Sequence, residues 1–157
     1  MLDFLNTIDV EDGTDLLADP AGWRAWLTTR GLSEADSTAD TAAESTAGST
    51  AALRTALRAA VGEPSTGQPG LSARVTVSIG ADGPRLVADD VVGAVLAAAS
   101  RLAVLGEWDR IKICPADGCR WAFFDRSRNH SRTWCSMRVC GNREKARAWR
   151  ERARANG

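Results

Sequence analysis

The chain has 157 residues, 44% hydrophobic and 25% charged, and its 20 basic and 20 acidic side chains sum to a formal charge of zero. That length can bury one good core plus a small metal-held module. The composition is that of a folded globular chain, and no apolar run approaches the length of a membrane span. The zero hides two unlike halves. Residues 1–109 carry 7 arginines against 16 acids, a formal −9, whereas residues 110–157 carry 13 basic against 4 acidic side chains, a formal +9. Such asymmetry points to a polyanionic partner for the basic half. It is equally the asymmetry expected if the acidic half docks on the basic half.

Leu2, Phe4 and Leu5 predict one helical turn over residues 2–7 that docks on the core, with Asp3 and Asn6 as its capping residues. Asp19-Pro20 is a helix start, because Asp caps and Pro is preorganised at the first position. Trp23, Trp26 and Leu27 then recur at helical spacing as core residues until Gly31. Residues 33–50, rich in Ser, Thr, Ala and acids, read as a loop or a frayed helix start. From Thr50 the pattern firms through Leu53, Leu57 and Val61, and Gly62-Glu63-Pro64 stops the helix. Gly67 to Gly70 is a connection. Arg74 to Ile79 alternates as a strand, Gly80 to Pro84 turns, and Arg85 to Ala88 returns. Asp89 or Asp90 caps a helix whose broad apolar stripe (Val91, Val92, Val95, Leu96, Ala99, Leu102, Ala103) makes it the central helix of the first domain, ending at Gly106.

All four cysteines lie in the last third, Cys114, Cys119, Cys135 and Cys140, spaced C-x4-C-x15-C-x4-C. Two close pairs, each on a tight loop, suit a tetrahedral metal, and zinc suits four thiolates with no open position when its role is structural. The competing readings are two disulfides or four unrelated core cysteines. Disulfides belong to oxidising compartments, and unrelated cysteines would not cluster. The N-terminus lacks a basic region followed by an apolar stretch and a cleavage site, so cytoplasm is the expected compartment. Trp108 to Ile113 leads into the first pair. Between the pairs, residues 121–125 read as a strand, 126–131 as a turn with His130 at its tip, and 132–134 as the returning strand. A final helix starts at Ser136 or Asn142.

Around the second pair the chain reads Trp134-Cys135-Ser136-Met137-Arg138-Val139-Cys140-Gly141-Asn142-Arg143. With Cys114-Pro115, Cys119, Phe123 or Phe124, Asp125 and Ser127, this resembles the CGNR zinc-finger family, whose signature runs W-C-S-M-x-x-C-G-N-R. The opening Leu2-Asp3-Phe4-Leu5-Asn6-Thr7 resembles the L-D-F-x-N-T phrase of the ABATE domain that precedes such fingers. The resemblance covers both ends and implies a bacterial transcription regulator, with a zinc finger on DNA and a sensor in front, whose small-molecule pocket Asp3 and Asn6 would line if they do not only cap the first turn.

The expected architecture is therefore α+β: a mostly helical ABATE-like domain with a β-hairpin (residues 1–109), then a small treble-clef-like four-cysteine finger (residues 110–157) ending in a basic helix and holding one structural Zn2+. At 100° per residue, Arg143, Arg147, Arg150 and Arg154 form a stripe, beside an apolar strip of Ala146, Trp149 and Ala153 able to pack on the zinc module. With Arg126, Arg128, Arg132 and Arg138 they make the expected nucleic-acid contacts. DNA is the expected partner and RNA the alternative, since Trp121, Phe123 and Phe124 could stack bases if they are not the finger's core. A protein-interaction adaptor with an acidic partner is the other class. No catalytic residue is expected: residues 1–109 hold no histidine, cysteine or glycine-rich phosphate loop, and four thiolates leave zinc no open site.

Overall fold

The computed structural model describes residues 1–32, 42–64, 72, 75–88 and 90–155, with backbone alone for 42–49. The segment 33–41, the Gly67–Gly70 connection, Arg74 and the cap candidate Asp89 lie outside the described residues.

The chain opens with α1 (Leu2–Leu5), whose Phe4 and Leu5 are almost fully buried. A short antiparallel ribbon follows, β1 (Ile8–Asp9) against β2 (Thr14–Asp15). A single 3-10 turn then leads to α2 (Pro20–Thr29), capped by Asp19 Oδ1 accepting from the Ala21 N–H at 3.1 Å. Helix α2 stops where Gly31 takes φ +65°, the left-handed geometry that a Cβ disfavours. Trp23 and Trp26 stack at 4.9 Å and pack half-buried against the core, with the Arg30 guanidinium 4.0 Å above Trp26.

Helix α3 (Ala42–Ala60) starts well before Thr50, so much of the Ser/Thr-rich stretch is helical. Its Leu53, Leu57 and Val61 stripe is buried as the spacing requires. Strands β3 (Thr76–Gly80) and β4 (Gly83–Val87) form the expected hairpin, with Val77 opposite Leu86. Both strands are largely exposed, Ile79 at 83% and Val77 at 63%. Helix α4 (Val91–Val104), capped by Asp90 Oδ1 on the Gly93 N–H at 2.6 Å, buries Val91, Val95 and Ala99.

The last third begins with β5 (Ile111–Ile113) and β6 (Ala122–Phe124), paired antiparallel so that Ile111 faces Phe124 and Ile113 faces Ala122. This is the hairpin that carries the cysteine loop. The expected strand over 132–134 does not form. Its backbone is instead bound by side chains, as set out below. A π-helical turn (Met137–Gly141) then runs into α5 (Asn142–Ala155).

The main core joins the two ends of the sequence. Phe4, Leu5, Leu27, Leu53, Leu57, Val61, Val91, Val95 and Ala99 pack with Ile111, Ile113 and Ala122 from the β5–β6 hairpin. A second, smaller cluster holds Cys114, Ala116, Cys119, Phe123 and Cys140, with Trp134 and Cys135 against it.

Polar side chains lock this arrangement. Asn6 is the C-cap residue of α1, its N–H on the Leu2 carbonyl at 3.0 Å, and its side chain reaches further, donating to the Ala122 carbonyl at 2.9 Å and accepting from the Ala122 N–H at 2.8 Å. Its amide thus satisfies the outer edge of β6 as a neighbouring strand would. Arg58, 3% exposed, donates to the Leu5 carbonyl at 2.7 Å, to the Arg120 carbonyl at 2.7 Å and to the Glu63 carboxylate. Arg54 grips Asp15 with two hydrogen bonds and Thr7 Oγ1 with a third at 3.0 Å.

Candidate zinc centre and basic helix

Cys114 follows β5 directly, and Cys119 closes the loop before β6. The Cys114 N–H donates to the Trp121 carbonyl at 2.9 Å, so the strand ladder itself sets the first pair. Cys135 precedes the π-helical turn and Cys140 lies within it. Ser136 Oγ accepts from the Val139 N–H at 3.3 Å, and the Ser136 carbonyl accepts from the Gly141 N–H at 3.0 Å. A Cβ at Gly141 would meet Met137 Sδ at 2.5 Å, which the exposed methionine can relieve by moving, and Trp134 Cδ1 at 3.1 Å, which leaves little room on that side.

The four Sγ atoms lie within 4.8 Å of one another, with Cys119 to Cys135 and Cys135 to Cys140 both at 3.5 Å. Four sulfurs at about 2.3 Å from a tetrahedral zinc stand roughly 3.8 Å apart. The donor set fits in number, softness and spacing. Their protonation behaviour points the same way. Burial opposes ionisation of Cys114, yet N–H groups of Cys135 and Ala116 and the neighbouring thiols draw it below its ordinary value. Burial, reinforced by adjacent sulfurs, pushes the Cys135 thiol far up and Cys140 up to about 11. Without a cation Cys135 and Cys140 resist ionising beside Cys114, and a divalent ion relieves that repulsion.

Asp125 organises the loop between the pairs. It is fully buried, which works against its charge. The Lys112 ammonium at 2.7 Å and the N–H groups of Ser127 at 2.8 Å and Arg132 at 2.9 Å hold its carboxyl far below the usual carboxylate range. Lys112 also donates to the carbonyls of His130 and Arg132. Residues 125–132 are therefore folded around one carboxylate and one ammonium, which replaces the ladder of the expected returning strand. His130 is exposed on this loop at φ +51° and is not part of the four-sulfur cluster.

The eight arginines of the expected nucleic-acid surface divide into groups. Arg126 and Arg128 are exposed on the 125–132 loop, Arg138 on the π-helical turn, and Arg150 and Arg154 along α5. Arg132 is committed to the finger: its guanidinium donates to the Trp134 and Cys135 carbonyls and lies 5.1 Å from the Phe123 ring. Arg143 pairs with Glu11 at 2.9 Å, and Arg147 with Glu144 at 2.6 Å and Asp117 at 4.0 Å. The apolar strip of α5 does not pack on the zinc module. No residue of α5 is buried, Ala146 and Ala153 are exposed, and Trp149 is 65% exposed. Phe123 is in the finger's cluster and Phe124 lies against the main core, while Trp121 stays 38% exposed.

A groove of about 690 Å³ opens beside the finger, walled by Trp26 and Trp121 and edged by Asp3, Asp9, Asp19 and Arg30. A smaller one of about 230 Å³ runs from Asp9 and Trp121 to the sulfurs of Cys119, Cys135 and Cys140.

A self-closing four-thiolate shell on a hairpin knuckle and a helix start is a structural zinc finger, carried here behind a helical α+β domain. Residues 110–153 match the CGNR zinc finger model, and residues 1–121 match the model described as "Putative stress-induced transcription regulator". The chain belongs to this second family, ABATE, and ends in a CGNR finger that holds one structural zinc. No curated protein matches it. Among the described residues no helix is long and apolar enough to cross a membrane.

Proposed function

We propose that the protein binds DNA through its finger and regulates transcription, while its first domain receives a small effector. One observation carries the reading. Helix α5 stands exposed along its length with six basic and two acidic residues, anchored at its root by Cys140. Four thiolates on zinc add about −2 to the finger and still leave residues 110–157 near +7. The arginine pairs with Glu11 and Asp117 are solvent-exposed, hence weak and salt-screened, and Arg147 stays 54% exposed even in its pair with the largely covered Glu144, so phosphates can reach both arginines. The groove between Trp26 and Trp121 supports the effector role, since it adjoins both the acidic ribbon and the zinc loop. The reading is of a binding protein rather than an enzyme, because cysteines fill the metal's shell.

Random-sequence duplex and tRNA titrated across a salt series test this. Each phosphate contact contributes a slope of about 0.9 on duplex. Arg147→Ala with Arg150→Ala is expected to flatten that slope by about two at unchanged zinc content. Equal affinity and slope for wild type and variant would favour the adaptor.

A further inference from the structure

Helix α5 turns to solvent a different face from its arginine stripe. Glu144 keeps only 15% of its side chain exposed and Ala148 is half-buried, so the helix rests on that flank. At about 100° per residue the opposite flank carries Ala146, Trp149 and Ala153 as an exposed apolar ridge. Arg150 and Arg154 run along one side of the ridge, Lys145 and Arg152 along the other. Among the described residues none of these four cations is in an ion pair.

We propose that this ridge enters the major groove of duplex DNA, the two cation rows meeting phosphates of opposite strands and Trp149 reaching the base edges. The inference rests on the DNA-binding reading above. Charge complementarity selects the occupant: a groove is a floor of base edges between two phosphate walls, and the ridge is an apolar strip between two cation rows. Sizes agree, since a helix with side chains is about 10–12 Å across and the major groove about 12 Å wide. Two alanines permit close approach, and the apolar indole is suited to thymine methyl groups. Contact along a single strand would need cations on one side only.

The test uses full-length zinc-loaded protein, with zinc content and circular dichroism checked for each variant. Binding is measured on a B-form duplex, on the same duplex with thymine replaced by deoxyuracil, on one whose major groove is filled by glucosylated 5-hydroxymethylcytosine, and on an RNA duplex. Lys145→Ala/Arg152→Ala and Arg150→Ala/Arg154→Ala should each flatten the salt slope by about two, a loss of about sixty-fold at 0.1 M salt relative to 1 M. Trp149→Ala should weaken binding at unchanged slope and erase the preference for thymine over deoxyuracil. Filling the groove should abolish binding, and RNA, whose deep major groove excludes side chains, should bind weakly. A wild-type slope in the Lys145/Arg152 variant, indifference to groove filling, no effect of Trp149→Ala, or equal affinity for RNA would overturn the proposal. In those cases the DNA-binding reading survives if the Arg147/Arg150 variant still flattens the slope. Absence of salt-dependent duplex binding by the wild type would remove both.

Discussion

Replacing Asn6 by alanine should destabilise the protein more than its place near the start of the chain suggests. Its amide makes two hydrogen bonds to the peptide groups of Ala122, at 2.9 and 2.8 Å, and Ala122 is 1% exposed. Truncation leaves one N–H and one carbonyl of the buried Ala122 without their side-chain partners. Each such loss costs about 1–3 kcal/mol, so about 2–6 kcal/mol together is expected. For a chain of this size that is a fall in Tm of roughly 4–24 °C. Asn6→Asp separates the two bonds. It keeps the acceptor for the Ala122 N–H but sets a carboxylate against the Ala122 carbonyl. The protonated form restores the donor, so the variant's folded-state pKa is raised and its deficit should shrink as pH falls through that value. Urea unfolding of zinc-saturated protein is the assay. A change below about 0.5 kcal/mol for Asn6→Ala, with zinc content intact, would refute the clamp.

Cys135→Ala should lower zinc from one per chain to a substoichiometric level and unfold the finger, because so small a module lacks an adequate core of its own; elemental analysis and circular dichroism report this. Stability should also weaken in acid. Asp15 is held low by Arg54's hydrogen bonds; Glu63 and Asp125 are held low against their burial by Arg58 and Lys112 respectively. Depressed carboxyls stabilise the fold fully above their unfolded values of 3.8 and 4.5 and lose that contribution as pH falls through the folded ones. A flat stability profile from neutrality to below pH ~3.5 would contradict it.

What could be read from the chain was local. The Asp19 and Asp90 caps, the stop at Gly31, the Leu53–Leu57–Val61 stripe and the four sulfurs depend on neighbours a few residues away, and each is where the pattern put it. What could not be read depends on contacts between distant residues. Strands over 121–125 and 132–134 around a turn at 126–131 made a hairpin between the cysteine pairs the expectation. That reading failed because β5 already holds one edge of β6, and Lys112 and Asp125 bind the loop backbone. Asn6 offered no local sign that its partner lay 116 residues away. The buried Arg58 was invisible for the same reason: in sequence it is an ordinary polar position on a helix. For α5 the helical spacing correctly grouped the side chains by face but could not say which face the body would cover.

The main core crosses the sequence boundary between the first domain and the finger, and this makes the metal a shareholder in the whole fold. Ile111, Ile113 and Ala122 sit among Phe4, Leu5 and the helix stripes, and lie within three residues of Cys114 or Cys119 along the chain. Chelation therefore frees more than a finger: it loosens the strand pair that seals the other domain's base, and the Arg120 carbonyl that Arg58 needs. By linkage the dependence runs both ways, since whatever tightens the helical domain also raises the affinity of the thiolates for zinc. Chain cut near residue 110 would leave two fragments, one with an open core and one with apolar strands exposed, so the two halves are best regarded as one thermodynamic unit with two addresses.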